Sequence, residues 1–355
     1  LASNNYNFIS TTKLYYKDMK KLLFGAFMLW LLTACNNENI SNQNETQAES
    51  ETSSLTSKRI CPSEEMRREA LQKNPALKQK VEEIEANAKR FSNNIASGKV
   101  LTDGIIEIPV VVNIVYKTAD ENVSDARIAE QIAVLNADFG GTNSDISQIP
   151  AEFKGVKACD VKIRFKLANT IRKTTTKISW GQIDQNSNTM KKDSTGGINA
   201  TDPTKYLNIW VVGKMPSPKG DILGYATFPE DAGTWKDGVV IAAHCFGKTE
   251  ASAPFNLGRT ATHEVGHYLN LLHLWGPTDA GCQTDYCDDT PVSPGSNGGK
   301  PTYPLNRACD GISRSQMFMN YMDYVHDKSM FMFSANQKTR MQAVVAAAGP
   351  RAGLR

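Results

Sequence analysis

His263-Glu264-Val265-Gly266-His267-Tyr268-Leu269-Asn270-Leu271-Leu272-His273 is the stretch on which the reading of this chain turns. His263 and His267 lie four residues apart, so on a helix both imidazoles face one side and can hold a single Zn2+ ion. Glu264 stands beside the first of them, placed to take a proton from metal-activated water. His273 follows too late for a straight helix to bring it back to the same ion. The chain must bend, and Asn270 sits where a left-handed residue would make that bend, Asn being the next choice after Gly. A chance match to the two-histidine spacing is expected about 0.003 times in a chain of this composition, which leaves ordinary core histidines a poor alternative. His244 and His326, outside the stretch, read as surface or loop residues.

Around this centre the chain has 355 residues, 40 basic and 37 acidic side chains and seven cysteines. A net charge of +3 offers no basic stripe for nucleic acid. The cysteines are too few for a disulfide scaffold. Lys20 and Lys21 precede an apolar run from Leu22 to Leu32, then Thr33, Ala34 and Cys35. Basic start, apolar core and small residues make an export signal, too short to span a bilayer. Its ending resembles the lipobox of bacterial lipoproteins, which implies lipid on Cys35, a start at Met19, and residues 1–18 as an extension ahead of the true start. Residues 36–57 are mostly Asn, Gln, Glu, Ser and Thr with no aromatic residue, the composition of a disordered tether.

From Ser63 to about Arg90 the chain reads as one or two exposed helices, followed by a hinge over 91–104 with Arg90 and Lys99 as cleavage candidates. Ile105–Tyr116 is strand-like, and Ser124 caps a helix bearing Ile128, Ile132, Leu135 and Phe139. Val161, Ile163, Phe165 and Leu167 alternate with Lys162, Arg164 and Lys166 as a half-buried strand. Tyr206–Val212 fits a central strand. Leu223–Phe228 and Val239–Ala243 fit two more, with an Asp237-Gly238 turn between them. The mixture predicts an α/β (α+β) layer fold, then an irregular region after Trp275 and a terminal helix around Asn336–Ala347.

The histidine motif resembles that of the metzincin zinc metalloproteases, with Asn270 where they carry Gly. Asn320-Tyr321-Met322-Asp323-Tyr324 resembles their methionine turn in the wording of the pappalysin family. Leu223-Gly224-Tyr225-Ala226, Asp237-Gly238-Val239-Val240 and Gln337…Arg340-Met341 are similar to that family too. The resemblance implies a metzincin catalytic domain over 105–355. A mixed twisted sheet and active-site helix would form an upper subdomain to about residue 274, above an irregular lower subdomain over 275–355. It makes Met322 the floor beneath the metal and Tyr324 the donor to the developing oxyanion. Met317, Met319, Met330 and Met332 read as core filler. Relatives favour Arg or Lys after the scissile bond, but no acidic pocket residue is assignable from sequence.

Residues 58–104 would then be a pro-segment, with Cys61 as a cysteine switch capping the fourth zinc position; Pro62 follows it where relatives have Gly. The resemblance pairs Cys282 with Cys309, and Ser329 stands where a second disulfide would need a cysteine. Cys159, Cys245 and Cys287 are an odd remainder, so at least one should be free. Asp285, Asp288 and Thr290 are candidate Ca2+ ligands in an oxygen-rich loop. The expectation is a monomeric, zinc-dependent endopeptidase acting on extracellular proteins, latent until cut, lipid-anchored to a bacterial envelope or released. The alternative is a catalytically idle metzincin-like binding protein.

Overall fold

A computed structural model describes residues 58–97, 104–181, 188–248 and 250–354, all within one compact unit. The export signal with Cys35, the tether and Lys99 lie outside the described residues. The chain enters as two helices, α1 (Ser63–Lys73) and α2 (Pro75–Ala96). Asn74 separates them: its side chain accepts from the Ala76 amide, and Pro75 starts the second helix where a missing N–H costs nothing.

The sheet follows. β1 (Ile106–Tyr116) lies between β2 (Ile163–Thr174) and β3 (Leu207–Val212), parallel to both. β4 (Pro216–Ser217) and β5 (Gly220–Asp221) make a small hairpin before β6 (Gly224–Ala226), and β7 (Val239–Ala242) returns to pair with β3 and β6. The order is β2-β1-β3-β7-β6, with only β6 antiparallel, so a mixed sheet ends in one reversed edge. β3 is buried at every position, as an apolar central strand must be. α3 (Asp125–Gly140), capped by Ser124, lays Ile128, Leu135 and Phe139 on the sheet. α4 (Arg259–Tyr268) packs on α3 and on the β6–β7 edge, and is buried throughout.

Below α4 regular structure thins to β8 (Gly298–Gly299) paired with β11 (Tyr324–Val325), and β9 (Asn306–Cys309) with β10 (Ile312–Ser315). Cys282 and Cys309 are bonded; Cys159, Cys245 and Cys287 are free. α5 (Ala335–Val345) starts in a capping box between Ser334 and Gln337 and packs against α2.

Three sequence expectations change. α1 is not an exposed helix: Ser63, Glu64 and Ala70 are buried, the first two against Glu264 and His273. The helical part of 58–104 runs on through Asn93 and Asn94 to Ala96, into the expected hinge. The alternation of β2 fails at Leu167, which is exposed, because the β1–β2 register slips between Val110 and Val111 and the extra residue turns the strand. The Asp237-Gly238 stretch lies in the connection between β6 and β7 as expected, with Asp237 buried, bonded to Thr227 and paired with Arg351.

Candidate metal centre

α4 carries His263 and His267 one turn apart and then stops in a Schellman cap. Asn270 adopts φ 74°, the Asn270 amide donates to the His267 carbonyl, and the Leu271 amide donates to the Gly266 carbonyl. This reversal brings His273 back beneath the helix. The His267 Nε2 and His273 Nε2 atoms are 3.1 Å apart, and His273 Nε2 and His263 Nε2 are 3.3 Å apart.

The outer nitrogens explain what those inner ones want. His263 Nδ1 lies 2.7 Å from the Tyr321 carbonyl and His267 Nδ1 2.8 Å from the Leu271 carbonyl, partners that only accept. His273 Nδ1 lies 3.0 Å from the carboxylate of Glu64. Each Nδ1 therefore carries the proton, and three Nε2 lone pairs converge on one point. Such lone pairs repel unless a cation lies among them. Their separations match the edges of a tetrahedron, about 3.3 Å, around an ion about 2.0 Å from each nitrogen. Burial and the neighbouring imidazoles also hold His263 and His267 well below the ordinary histidine range, in the neutral form a metal needs. The Cys61 thiol completes the group: its sulfur and the three ring nitrogens lie within 4.8 Å of one another. Three imidazoles and a thiol are a donor set that suits zinc.

Two glycines make this packing feasible. A Cβ on Gly266 would lie 2.5 Å from Met322 Sδ, so the helix rests on Met322 only where it has no side chain. A Cβ on Gly224 would meet Glu264 Cγ at 2.9 Å, so the sheet edge leaves room for the carboxylate. Glu264 Oε2 accepts from Cys61 Sγ and Ser63 Oγ, each at 3.2 Å, and burial pushes its carboxyl up to about 8. Tyr324 donates its hydroxyl to the Cys61 carbonyl at 2.8 Å, with its ring against His273. His244 and His326 are outside the cluster.

The chain's own residues 59–67 lie along the site. The Leu223 amide donates to the Ile60 carbonyl at 3.2 Å, and the Ala226 amide to Ser63 Oγ at 2.9 Å, so this segment tracks the β6 edge. Arg59 enters a closed pocket where its guanidinium meets Asp327 at 2.6 Å and Thr260 Oγ1 at 2.9 Å, over the Phe255 ring. Both members of the ion pair are buried. The other Asp327 oxygen accepts from the Leu257 and Arg259 amides at the start of α4, which fixes the carboxylate with its free oxygen facing the pocket. Sequence reasoning passes over Arg59, Glu64 and Asp327. The Lys58-Arg59 pair beside Cys61 is a signal for the first; nothing local marks Asp327.

The calcium candidates come together in part. Both Asp285 oxygens accept from Thr290 Oγ1 at 2.8 Å, while the Asp288 side chain is exposed. Asp289, given no role by its sequence, bonds Ser334 and the Asn336 amide and so ties this loop to α5.

Comparison with known proteins points to metalloproteases. A family model described as peptidase M43, pregnancy-associated plasma protein-A, matches residues 190–346. An extracellular metalloprotease of Pyricularia oryzae is 32% identical over 230 residues, covering 63% of this chain and 68% of its own. One from Verticillium alfalfae is 30% identical over 261 residues, covering 70% and 79%. Mature mirolysin of Tannerella forsythia, solved with a cleaved peptide, is 38% identical with a TM-score of 0.66, covering 71% of this chain and 96% of its own. A promirolysin mutant from that organism is 36% identical with a TM-score of 0.73, covering 83% and 97%. Relatives of this kind disfavour the idle binding-protein alternative.

Proposed function

The chain belongs to the peptidase M43 family and is a metalloendopeptidase, and from that premise we propose that it uses one zinc ion to cut protein chains before a basic residue and is made latent by its own residues 58–104. His263, His267 and His273 would hold the ion, over Met322 and through the bend at Asn270. When bound, zinc supplies Lewis acidity that activates water and polarises a carbonyl. Glu264 is the general base: its carboxylate takes the proton from the attacking water and hands it to the departing amine. The Tyr324 hydroxyl, aimed at the Cys61 carbonyl in the latent form, is aimed at the substrate oxyanion once that carbonyl has gone.

The observation that carries the specificity is the Arg59–Asp327 pair. A buried carboxylate anchored by two amides and paired, among the described residues, with a pro-segment guanidinium is left costly and unpaired when that segment leaves. It selects a basic side chain to replace it.

Latency rests on three contacts. Cys61 takes the fourth position beside the histidines, Arg59 fills the side-chain pocket, and Glu64 holds His273. The larger share of this chain matched by the pro form of mirolysin, 83% against 71% for the mature form, supports the same division. Release needs a cut near Arg90 or Lys99, around the end of α2. We assign the catalytic domain to 105–355, divided near residue 274 into upper and lower subdomains, and expect a monomer. Export with a lipid on Cys35, residues 1–35 as address and 36–57 as tether, would place it outside the cell with extracellular proteins as substrates. Asp285, Thr290 and the Asp288 carbonyl would form a calcium site steadying the loop beside α5, and the Cys282–Cys309 disulfide closes the same region.

The test is cleavage of a protein substrate by the matured enzyme before and after chelation. Activity should vanish with the chelator and return with zinc, and Cys61→Ala should mature faster than the natural chain. Maturation no faster than wild type would remove the cysteine switch from this account.

A further inference from the structure

The pro-segment carries a second arginine held in an ion pair, Arg67, whose side chain is 9% exposed. We propose that Glu230 and Phe228, which receive it, form a second substrate subsite that binds a guanidinium side chain upstream of the scissile bond; this rests on the peptidase reading above.

The contacts along β6 fix the geometry. Ile60 meets Leu223, Ser63 meets Ala226, and Arg67 reaches Glu230 beyond the end of that strand. Cys61, beside the metal ligands, lies between Arg59 and Arg67 in sequence, and the two arginines are held by different acids, Asp327 and Glu230. Arg67 grips Glu230 with two nitrogens, at 2.7 and 3.2 Å, and its guanidinium stacks 4.2 Å from the Phe228 ring centre. Planar, bidentate and stacked recognition of this kind suits arginine and not lysine. Phe228 in turn lies against His267, with ring centres 5.2 Å apart, so the subsite adjoins the reacting centre.

The neighbouring acids separate a ligand site from ordinary packing. Asp231 pairs with Lys236 and Asp237 with Arg351, partners that stay when residues 58–104 leave. The Glu230 carboxylate is bonded, among the described residues, by Arg67 alone, and its own carbonyl accepts from Lys80 of the same pro-segment. Maturation removes both cations and opens a carboxylate with an aromatic wall. A substrate strand running antiparallel to the pro-segment, with its basic residue in the Asp327 pocket, presents its upstream residues to Glu230.

The test uses the full chain carrying Glu264→Ala and matured by limited proteolysis, so that peptides bind without being cut. Each peptide keeps one arginine for the Asp327 pocket, and a second arginine is walked through the upstream positions against alanine and glutamate. At one position the second arginine should tighten binding about tenfold. Glu230→Gln should remove most of that gain, and Glu230→Lys should turn it into a preference for upstream glutamate. Both should keep the gain from the downstream arginine, which also shows that they are folded. A wild-type protein indifferent to upstream arginine, or an arginine gain that survives in Glu230→Lys, overturns the subsite. Loss of the downstream gain alone, or no cleavage of these peptides by the chain with Glu264 intact, counts instead against the function proposed above.

Discussion

Glu264 and Asp327 are buried carboxylates facing residues 59–63, and what holds each one bears on the role proposed for it. Glu264 is met by a thiol and a hydroxyl, weak partners that a water can replace. Asp327 is pinned by two amides and neutralised by a guanidinium, an arrangement that demands a cation. Glu264→Gln should therefore keep the metal, as read by elemental analysis, and slow peptide hydrolysis at least about a hundredfold. Asp327→Asn should keep general hydrolysis and lower kcat/KM for arginine peptides about thirtyfold or more. If arginine and alanine peptides fell equally in that variant, Asp327 would not be the pocket. The histidines and Glu264 are legible from sequence because four-residue spacing on a helix is local. Met322 and Tyr324 are legible only by family wording. Asp327 is not, because the Arg59 that reveals it lies 268 residues away in sequence.

Among the elements, α4 and its cap carry the proposed site, and the sequence announces both. The six-residue gap between His267 and His273 marks Asn270 as the left-handed residue, and the cap that follows explains how His273 returns. Gly266 carries no such mark, since its role lies in the Met322 side chain pressed against it from another part of the chain. Gly266→Ala should cost about 1–3 kcal/mol by overpacking, measured as a lower unfolding midpoint with the metal still bound. An unchanged midpoint would mean that the methionine turn yields easily. The pro-segment helices show the limit of reading composition. Glu, Lys and Arg in α1 look like a solvated face, yet Glu64 and Arg67 are the residues that enter the cleft. Amphipathic patterning cannot tell a charge turned to water from one turned to a complementary charge on another element.

For the whole molecule, the order of strands and the single reversed edge set the cleft, while one buried lysine sets a pH dependence. Lys191 lies between the Trp210 and Tyr225 rings, and burial lowers its pKa to about 7. Below that pH both the folded and unfolded chains hold the proton, and the full burial cost applies. Between about 7 and 10.5 the unfolded chain binds more protons, so stability rises with pH over that window. Lys191→Met should flatten this rise, seen by comparing unfolding midpoints near pH 6 and near pH 9; an equal rise in both proteins would place the titration elsewhere. The most direct measurement of the central claim is to incubate the matured enzyme with a peptide library and read the cut sites by mass spectrometry, with zinc removed and then restored. Cuts on the N-terminal side of arginine or lysine that disappear without zinc and return with it are the predicted result. Cuts that persist without the metal, or that ignore basic residues while one zinc is bound, would contradict the account.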